Sequence, residues 1–273
     1  MKAVKHAGTC KICGEFKKLS FEHVPPRHAF NSNKVIKLPF GEVVKTMTGT
    51  NGRMPWDTTG LKGKFEQRGS GDYYLCDSCN NNTGTWYMND YCSFAGAIHN
   101  IICEGRFEVG KRYSFVINDL YPLRLYKAVM TMFCDINNIA SGNDELREFL
   151  LNKESKILNG SKYSLYIYLV SPGMKRISGV SAQLNMHTGS VVLSSEIATY
   201  PLGFAMYIEK PDEFEPVGLN MDCFSQYSYE DKYNITFEGV PYIEINSQLP
   251  IDYRSKDDII KCIQENNDKK ENI

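Results

Sequence analysis

No stretch of this 273-residue chain is apolar for long. The longest such runs, Leu165 to Val170 among them, fall far short of the ~20 residues a bilayer-spanning helix needs. The first ten residues, Met1 to Cys10, carry lysines but lack the apolar core of a secretory signal. There is no internal repeat and no low-complexity block, and the net charge is only −1. These absences exclude a helical membrane protein, a solenoid and a long coiled coil, and lead us to expect a cytoplasmic location with no membrane partner. In a reducing compartment, nine cysteines are expected to be thiols or metal ligands rather than disulfides. The remaining composition, 23% charged and 42% hydrophobic, is that of an ordinary globular protein. At roughly 100–200 residues per domain, two domains are expected.

The near-neutral total hides an asymmetry. Residues 1–75 hold 13 Lys and Arg against 6 Asp and Glu, while the rest hold 18 against 26. A basic N-terminal third suits a local polyanion-binding surface, or simply a solvated lysine face.

Patterning also changes along the chain. Residues 1–100 are rich in Gly, Asn, Thr and Cys, and the tract from Thr46 to Asp72 reads as loop. Asn80 to Asn100 reads as a helix that packs through Trp86, Tyr87, Tyr91 and Phe94. Leu125, Val129, Met132, Phe133 and Ile136 form one helical stripe after Pro122. Asn143 is placed to cap a short helix, with Asp144 and Glu145 at its positive end. The period then becomes two: Tyr163, Leu165, Ile167 and Leu169 alternate with Ser164, Tyr166 and Tyr168, as in a strand. Gln183 to Met186 and Ser190 to Leu193 flank His187-Thr188-Gly189 as a hairpin would. Further strands are expected over Phe204 to Ile208, Tyr233 to Phe237 and Tyr242 to Ile245. A last helix opens on a Ser255–Asp258 capping box.

The strongest chemical signal is the pair Cys10-Lys-Ile-Cys13 and Cys76-Asp-Ser-Cys79. Each C-x-x-C turn offers two thiolates on one knuckle, and two knuckles complete the four soft ligands of tetrahedral zinc. The 62 residues between Cys13 and Cys76 exceed the ~15–20 of a simple zinc ribbon, so the knuckles enclose an insertion with its own role. A thioredoxin-like redox pair would need a βαβ context that neither pair has. The other five cysteines, Cys92, Cys103, Cys134, Cys223 and Cys262, are expected to be buried small hydrophobes. His6, His99 and His187 are expected to be structural or exposed.

Two motifs hang on the knuckles. Ser20-Phe21-Glu22-His23-Val24-Pro25-Pro26 follows the first, and Asn80-Asn81-Asn82-Thr83-Gly84 follows the second at once. Zinc bonding would draw a carboxylate, an imidazole and an amide oxygen together. Glu22 and Asn80 are the hard oxygen donors Mg²⁺ favours. His23, with an ordinary pKa of about 6.5, can take a proton from water at pH 7.

In these residues the chain resembles the HNH endonucleases, the ββα-metal or His-Me finger superfamily. The likeness covers Cys10 to about His28 and Tyr73 to Tyr87. It implies that His23, with Pro26 three residues on, is the general base. It further implies that Glu22 and Asn80 hold a catalytic Mg²⁺ or Mn²⁺, and that Cys10, Cys13, Cys76 and Cys79 hold structural Zn²⁺. The acid is Glu where Asp is commoner, and the insertion is large. The Asn that often orients the base is replaced by Gly71, with Asp72 next, which leaves Asn31 or Asn33 as substitutes.

The inserted tract adds Arg53, Lys62, Lys64 and Arg68 around Trp56; with Arg27 and His28 these are the candidate nucleic-acid contacts. The expected architecture is α+β. Residues 1–105 form a zinc-bound ββα-metal (HNH) domain, and residues 106–273 a mixed helix and antiparallel-sheet domain for regulation, docking or self-association. The expected function is endonucleolytic cleavage of nucleic acid, DNA by family habit, with defence against foreign DNA as the biological setting. The rival is a non-catalytic zinc module that binds nucleic acid or a partner protein.

Overall fold

The tight turn that carries the first C-x-x-C pair closes through Gly14, whose N–H reaches the Cys10 carbonyl at 3.0 Å and whose φ of 75° costs glycine little. In the computed structural model, which describes residues 6–47, 54–156, 162–184 and 189–271, this turn links strands β1 (Ala7–Thr9) and β2 (Phe16–His23). Strand β3 (Val35–Lys37), helix α1 (Phe40–Met47) and strand β4 (Lys64–Glu66) follow in the inserted tract, β3 and β4 pairing antiparallel. Strand β5 (Gly71–Cys76) returns beside β2, so the first sheet runs β1-β2-β5. Helix α2 (Asp77–Thr83) starts directly on the second knuckle with Cys76 at its N-cap. Its backbone continues without a break through a π-turn (Gly84–Met88) into α3 (Asn89–Glu104). The long helix expected after Cys79 is therefore present, and Asn81 and Asn82 lie inside α2 rather than capping it.

Strand β6 (Arg112–Leu120) leads into α4 (Pro122–Ile136) and α5 (Asp144–Leu151). Then come β7 (Tyr163–Val170), β8 (Arg176–Leu184), β9 (Val191–Thr199), β10 (Leu202–Ile208), the short β11 (Leu219–Asn220), a 3-10 turn (Asp222–Gln226), β12 (Tyr233–Ile243) and α6 (Lys256–Glu271). The fold is mixed α+β. The large sheet has the order β6-β12-β7-β10-β9-β8, with β11 on β7; every pairing is antiparallel except β12 with β7. The two strands expected over 233–245 are one strand, bent by bulges between Tyr233 and Ile235 and between Phe237 and Val240. Leu184 pairs with Val191 as a hairpin requires, although Met186, His187 and Thr188 lie outside the described residues.

Helix α4 organises the core. Its residues are buried on every side apart from Arg124 and Ile136, so the one-sided stripe is replaced by a helix enclosed all round. It touches the 3-10 turn, the π-turn, α3, α5, β5, β8 and β9. One apolar cluster runs from Cys10 and Ile12 through Tyr91, Phe133 and Leu165 to Tyr242. The other face of the large sheet carries a second cluster around Tyr168 and Tyr207, so β7 is covered on both faces. No helix among the described residues is long and apolar enough to cross a membrane.

Candidate metal centre and the β2–β5–α2 site

The two knuckles meet. One sulfur from each of Cys10, Cys13, Cys76 and Cys79 lies within 4.8 Å of every other, and three of the four residues are buried. The Cys13 and Cys76 sulfurs are 3.9 Å apart, far too long for a disulfide and close to the edge of about 3.8 Å of a tetrahedron built on 2.3 Å zinc–sulfur bonds. The main-chain N–H groups of Cys76, Cys13 and Ile12 aim at the Cys10 sulfur, and the Cys79 thiol donates to it, so the Cys10 thiol is held well below its ordinary pKa. The thiol of Cys79, which keeps that proton, is pushed up. A bound cation would remove this competition for one proton. The donor set is therefore compatible with zinc.

The cluster ties the start of β2 to the start of α2. Main-chain bonds add to it, from Lys11 N to the Tyr74 carbonyl at 3.0 Å and across the β2–β5 ladder. On this frame Asn80, one residue past Cys79, reaches back to β2. Its amide donates to Ser20 Oγ at 2.9 Å and hydrogen-bonds Glu22. Burial pushes the Glu22 carboxyl up to about 7, against the opposing pull of the Asn80 bond.

His23 is next along the strand but takes other partners, because consecutive strand residues leave from opposite faces. Its Nε2 lies 3.1 Å from the Arg68 carbonyl, and its ring packs edge-on against Phe21 at 5.0 Å. No hydrogen bond joins the imidazole to Glu22 or Asn80 among the described residues. Burial, helped by the Arg27 charge, holds its pKa below 6.5 although the Arg68 bond raises it. The ring is therefore mainly neutral at pH 7, and a proton on Nε2 shared with the carbonyl leaves the lone pair on Nδ1.

Two contributors to this site carry no local signal in the sequence. The first is the Arg68 carbonyl. The second is the way Asn31 holds it: fully buried, Asn31 donates to the Pro25 and Ser70 carbonyls at 2.6 and 2.8 Å and accepts from Ser70 N at 2.9 Å. A Cβ at Gly69 would lie 2.0 Å from the Asn31 carbonyl oxygen, so only glycine lets the two segments close. Asn31 thus fixes the turn that presents the carbonyl, without touching the imidazole. Asp72, the acid nearest the position where the resembled family often has Asn, is occupied by Lys37, which also bonds the Gly71 carbonyl at 2.6 Å. Asn33 is exposed.

The basic residues divide. Arg27, His28 and Arg68 are exposed around the end of β2. Lys64 is paired with Glu66 at 2.8 Å, and Lys62 is exposed with its main-chain N–H on Glu42. Arg53 lies outside the described residues. Of the five cysteines expected to be buried, only Cys134 is; Cys92 and Cys262 are half-buried and Cys103 and Cys223 exposed, since their helix and turn positions face outward. His99 is bonded to the Tyr200 hydroxyl at 2.7 Å, and exposed His6 stacks on Tyr73.

The chain matches no protein-family model, no curated protein and no solved structure.

Proposed function

We propose that this protein is a metal-dependent endonuclease, with residues 1–105 as the cutting unit and residues 106–273 as the part that docks, self-associates or regulates. The observation that carries the reading is the Glu22–Asn80 pair, anchored to the four-cysteine cluster, with a carbonyl-bonded imidazole at His23, the next residue of the same strand. Zinc at the cysteines would be structural. Glu22 and Asn80 would hold Mg²⁺ or Mn²⁺, which when bound supplies positive charge for a phosphodiester and its departing oxygen. His23 Nδ1 takes a proton from water as the water oxygen bonds to phosphorus. The bond from phosphorus to the 3′-oxygen breaks, and that oxygen leaves with a proton from solvent. The Arg68 carbonyl keeps the ring in the tautomer that can accept the proton, and Asn31 keeps the carbonyl in place. Arg27, His28 and Arg68 would meet the nucleic-acid backbone. DNA is the favoured substrate, and defence against foreign DNA the favoured setting.

The test is plasmid nicking by wild type and His23→Ala across a Mg²⁺ and Mn²⁺ series. Loss of a positioned base is expected to slow cleavage by roughly 10²–10⁴-fold. Cleavage that survives unchanged in His23→Ala overturns the mechanism. DNA binding without cleavage on any substrate would favour the rival, a zinc module that binds without cutting.

A further inference from the structure

Two cavities of about 580 and 520 Å³ adjoin each other in the seam between the inserted tract and the large sheet. Both fall in the range of small-ligand sites. They share Val35, Ile36, Lys175 and Gln248.

The charges in their walls do not balance. Lys256 is cancelled by Glu244 at 2.9 Å, Lys37 by Asp72 at 3.3 Å, and Arg176 by the buried Glu196. Lys175 and Lys34 remain. Lys175 is half-buried where the two cavities meet, and its ammonium donates to the Phe30 carbonyl at 3.2 Å. Lys34 lies over the Phe65 ring at 4.1 Å. Among the described residues no carboxylate pairs with either lysine. Burial without a counter-charge lowers the Lys175 pKa, and an anionic ligand would reverse that cost. This excess of positive charge sits against the acidic part of the chain, which makes it less readily explained as a general basic surface.

The second cavity adds Trp56 and the Asn246 amide to the shared Gln248 amide. Asn246 is 2% exposed, its amide nitrogen making only long bonds of 3.4 and 3.5 Å to the Arg254 and Glu244 carbonyls. An indole offers a stacking face, amides read the hydrogen-bonding edge of a planar ring, and an unpaired lysine takes a phosphate.

We infer that this seam is a nucleotide-binding cleft, in which a base lies against Trp56 and its phosphate meets Lys175 and Lys34. Its first cavity is also lined by Ser70 and Asp72, and Asp72 is the β5 partner of Glu22. Occupancy would therefore bear on the strand pair that carries the proposed cutting site, a consequence that rests on the nuclease reading; the binding itself does not.

The experiment titrates the full zinc-replete chain, without added Mg²⁺ or Mn²⁺, with AMP, ATP, a short single-stranded oligonucleotide and inorganic phosphate, followed by calorimetry and tryptophan fluorescence. AMP or ATP is expected to bind and quench fluorescence. Lys175→Met should weaken binding by about tenfold or more, Lys175→Arg should restore it, and Trp56→Ala should weaken it by roughly 5- to 100-fold. Circular dichroism and the Lys175→Arg rescue separate lost binding from lost folding. Binding of free AMP or ATP assigns the cleft to a soluble nucleotide, and binding of the oligonucleotide alone assigns the same base-and-phosphate recognition to a nucleic-acid strand. The inference is overturned if none of these binds at millimolar concentration, if phosphate binds as tightly as AMP, or if binding ignores both substitutions. His23→Ala should bind as wild type does, so cleft and nuclease readings fail separately.

Discussion

Lys127 lies fully inside the protein on α4, its ammonium bonded to the Asn152 and Lys153 carbonyls at 2.7 and 3.1 Å and set over the Phe149 ring at 4.5 Å. Carbonyl dipoles and a π-face do not fully replace water, and burial lowers its pKa to about 7. Between pH 7 and the ordinary lysine value near 10.5, the unfolded chain then binds a proton that the folded chain does not, so this group makes stability rise with pH across that window. Urea denaturation at pH 7 and pH 9.5 should show that rise, and Lys127→Met should reduce it by roughly 3 kcal/mol. An unchanged slope in the variant would show that Lys127 stays charged in the fold. The other deeply buried cation is held differently. Arg176 forks onto Glu196, bonds the Ser247 and Asp252 carbonyls, and so ties the segment before α6 onto the sheet. Glu196 also accepts from Tyr168 and from Ile251 N. Glu196→Ala leaves a buried guanidinium without its counter-charge and should cost about 3–5 kcal/mol, whereas replacing both partners by apolar residues should cost much less. Equal losses in the single and double variants would contradict this account. Asp135 has neither arrangement: it is buried, neither of its oxygens has a hydrogen-bond partner among the described residues, and burial pushes its carboxyl well up, with the nearby Glu22 charge adding to the effect.

At the scale of elements, the piece that decides the site is the β2–β5 pair with α2 behind it, and its weakest joint is the turn from Arg68 to Ser70. Asn31 closes that joint with three hydrogen bonds from a position with no exposure. Asn31→Ala strands two carbonyls and an N–H, and should cost about 2–3 kcal/mol. If the Arg68 carbonyl orients the base, the same variant should also slow nicking by about tenfold or more through kcat rather than KM, with a shifted pH profile. A loss of stability with an unmoved profile would leave Asn31 as a structural residue alone. Much of this level was legible beforehand. Asn143 accepts from Leu146 N at 3.0 Å, and Ser255 and Asp258 cap reciprocally. The period-two pattern in β7 and the two knuckles also read true, because each is written within a few neighbouring residues. Other features were not. Strand β2 lies in Phe16–His23, where Lys17, Lys18 and Glu22 blur any alternation, and its second partner, β5, is 48–57 residues away. The contact that orients His23 comes from a main-chain atom, which no residue type announces. The α4 stripe led to one buried face, whereas neighbours from seven elements cover the rest. The seam cleft is assembled from segments as distant as Val35 and Gln248, so no local pattern marks it.

At the scale of the whole molecule, the cysteine cluster and the large sheet share one core. The cluster with Cys10 and Ile12 is the same apolar body that contains Phe133 and Leu165. Polar ties cross it as well: the Tyr87 hydroxyl donates to the Leu150 carbonyl at 2.9 Å, the Tyr229 hydroxyl to the Trp86 carbonyl at 3.2 Å, and Lys175 to the Phe30 carbonyl. Such a body should unfold as one. A protein prepared with about one zinc per chain should show a single thermal transition, the same by near- and far-ultraviolet circular dichroism. Stripping the ion with a chelator removes a binding free energy that for small zinc units reaches roughly 10 kcal/mol or more, comparable to the whole stability of a typical domain. The loss should not be confined to the knuckles, because Cys10, Cys76 and Cys79 belong to the same apolar cluster as Tyr91 and Phe133, and β5, which ends on Cys76, packs against α4. Chelation, or Cys76→Ser, should therefore lower the melting temperature of the entire chain and blur the near-ultraviolet signal of aromatics as far away as Phe204, which packs on Tyr91 at 6.0 Å. Two separate transitions, with only the lower one sensitive to the chelator, would instead mean that residues 1–105 fold as an autonomous unit and that the shared core contributes little cooperativity.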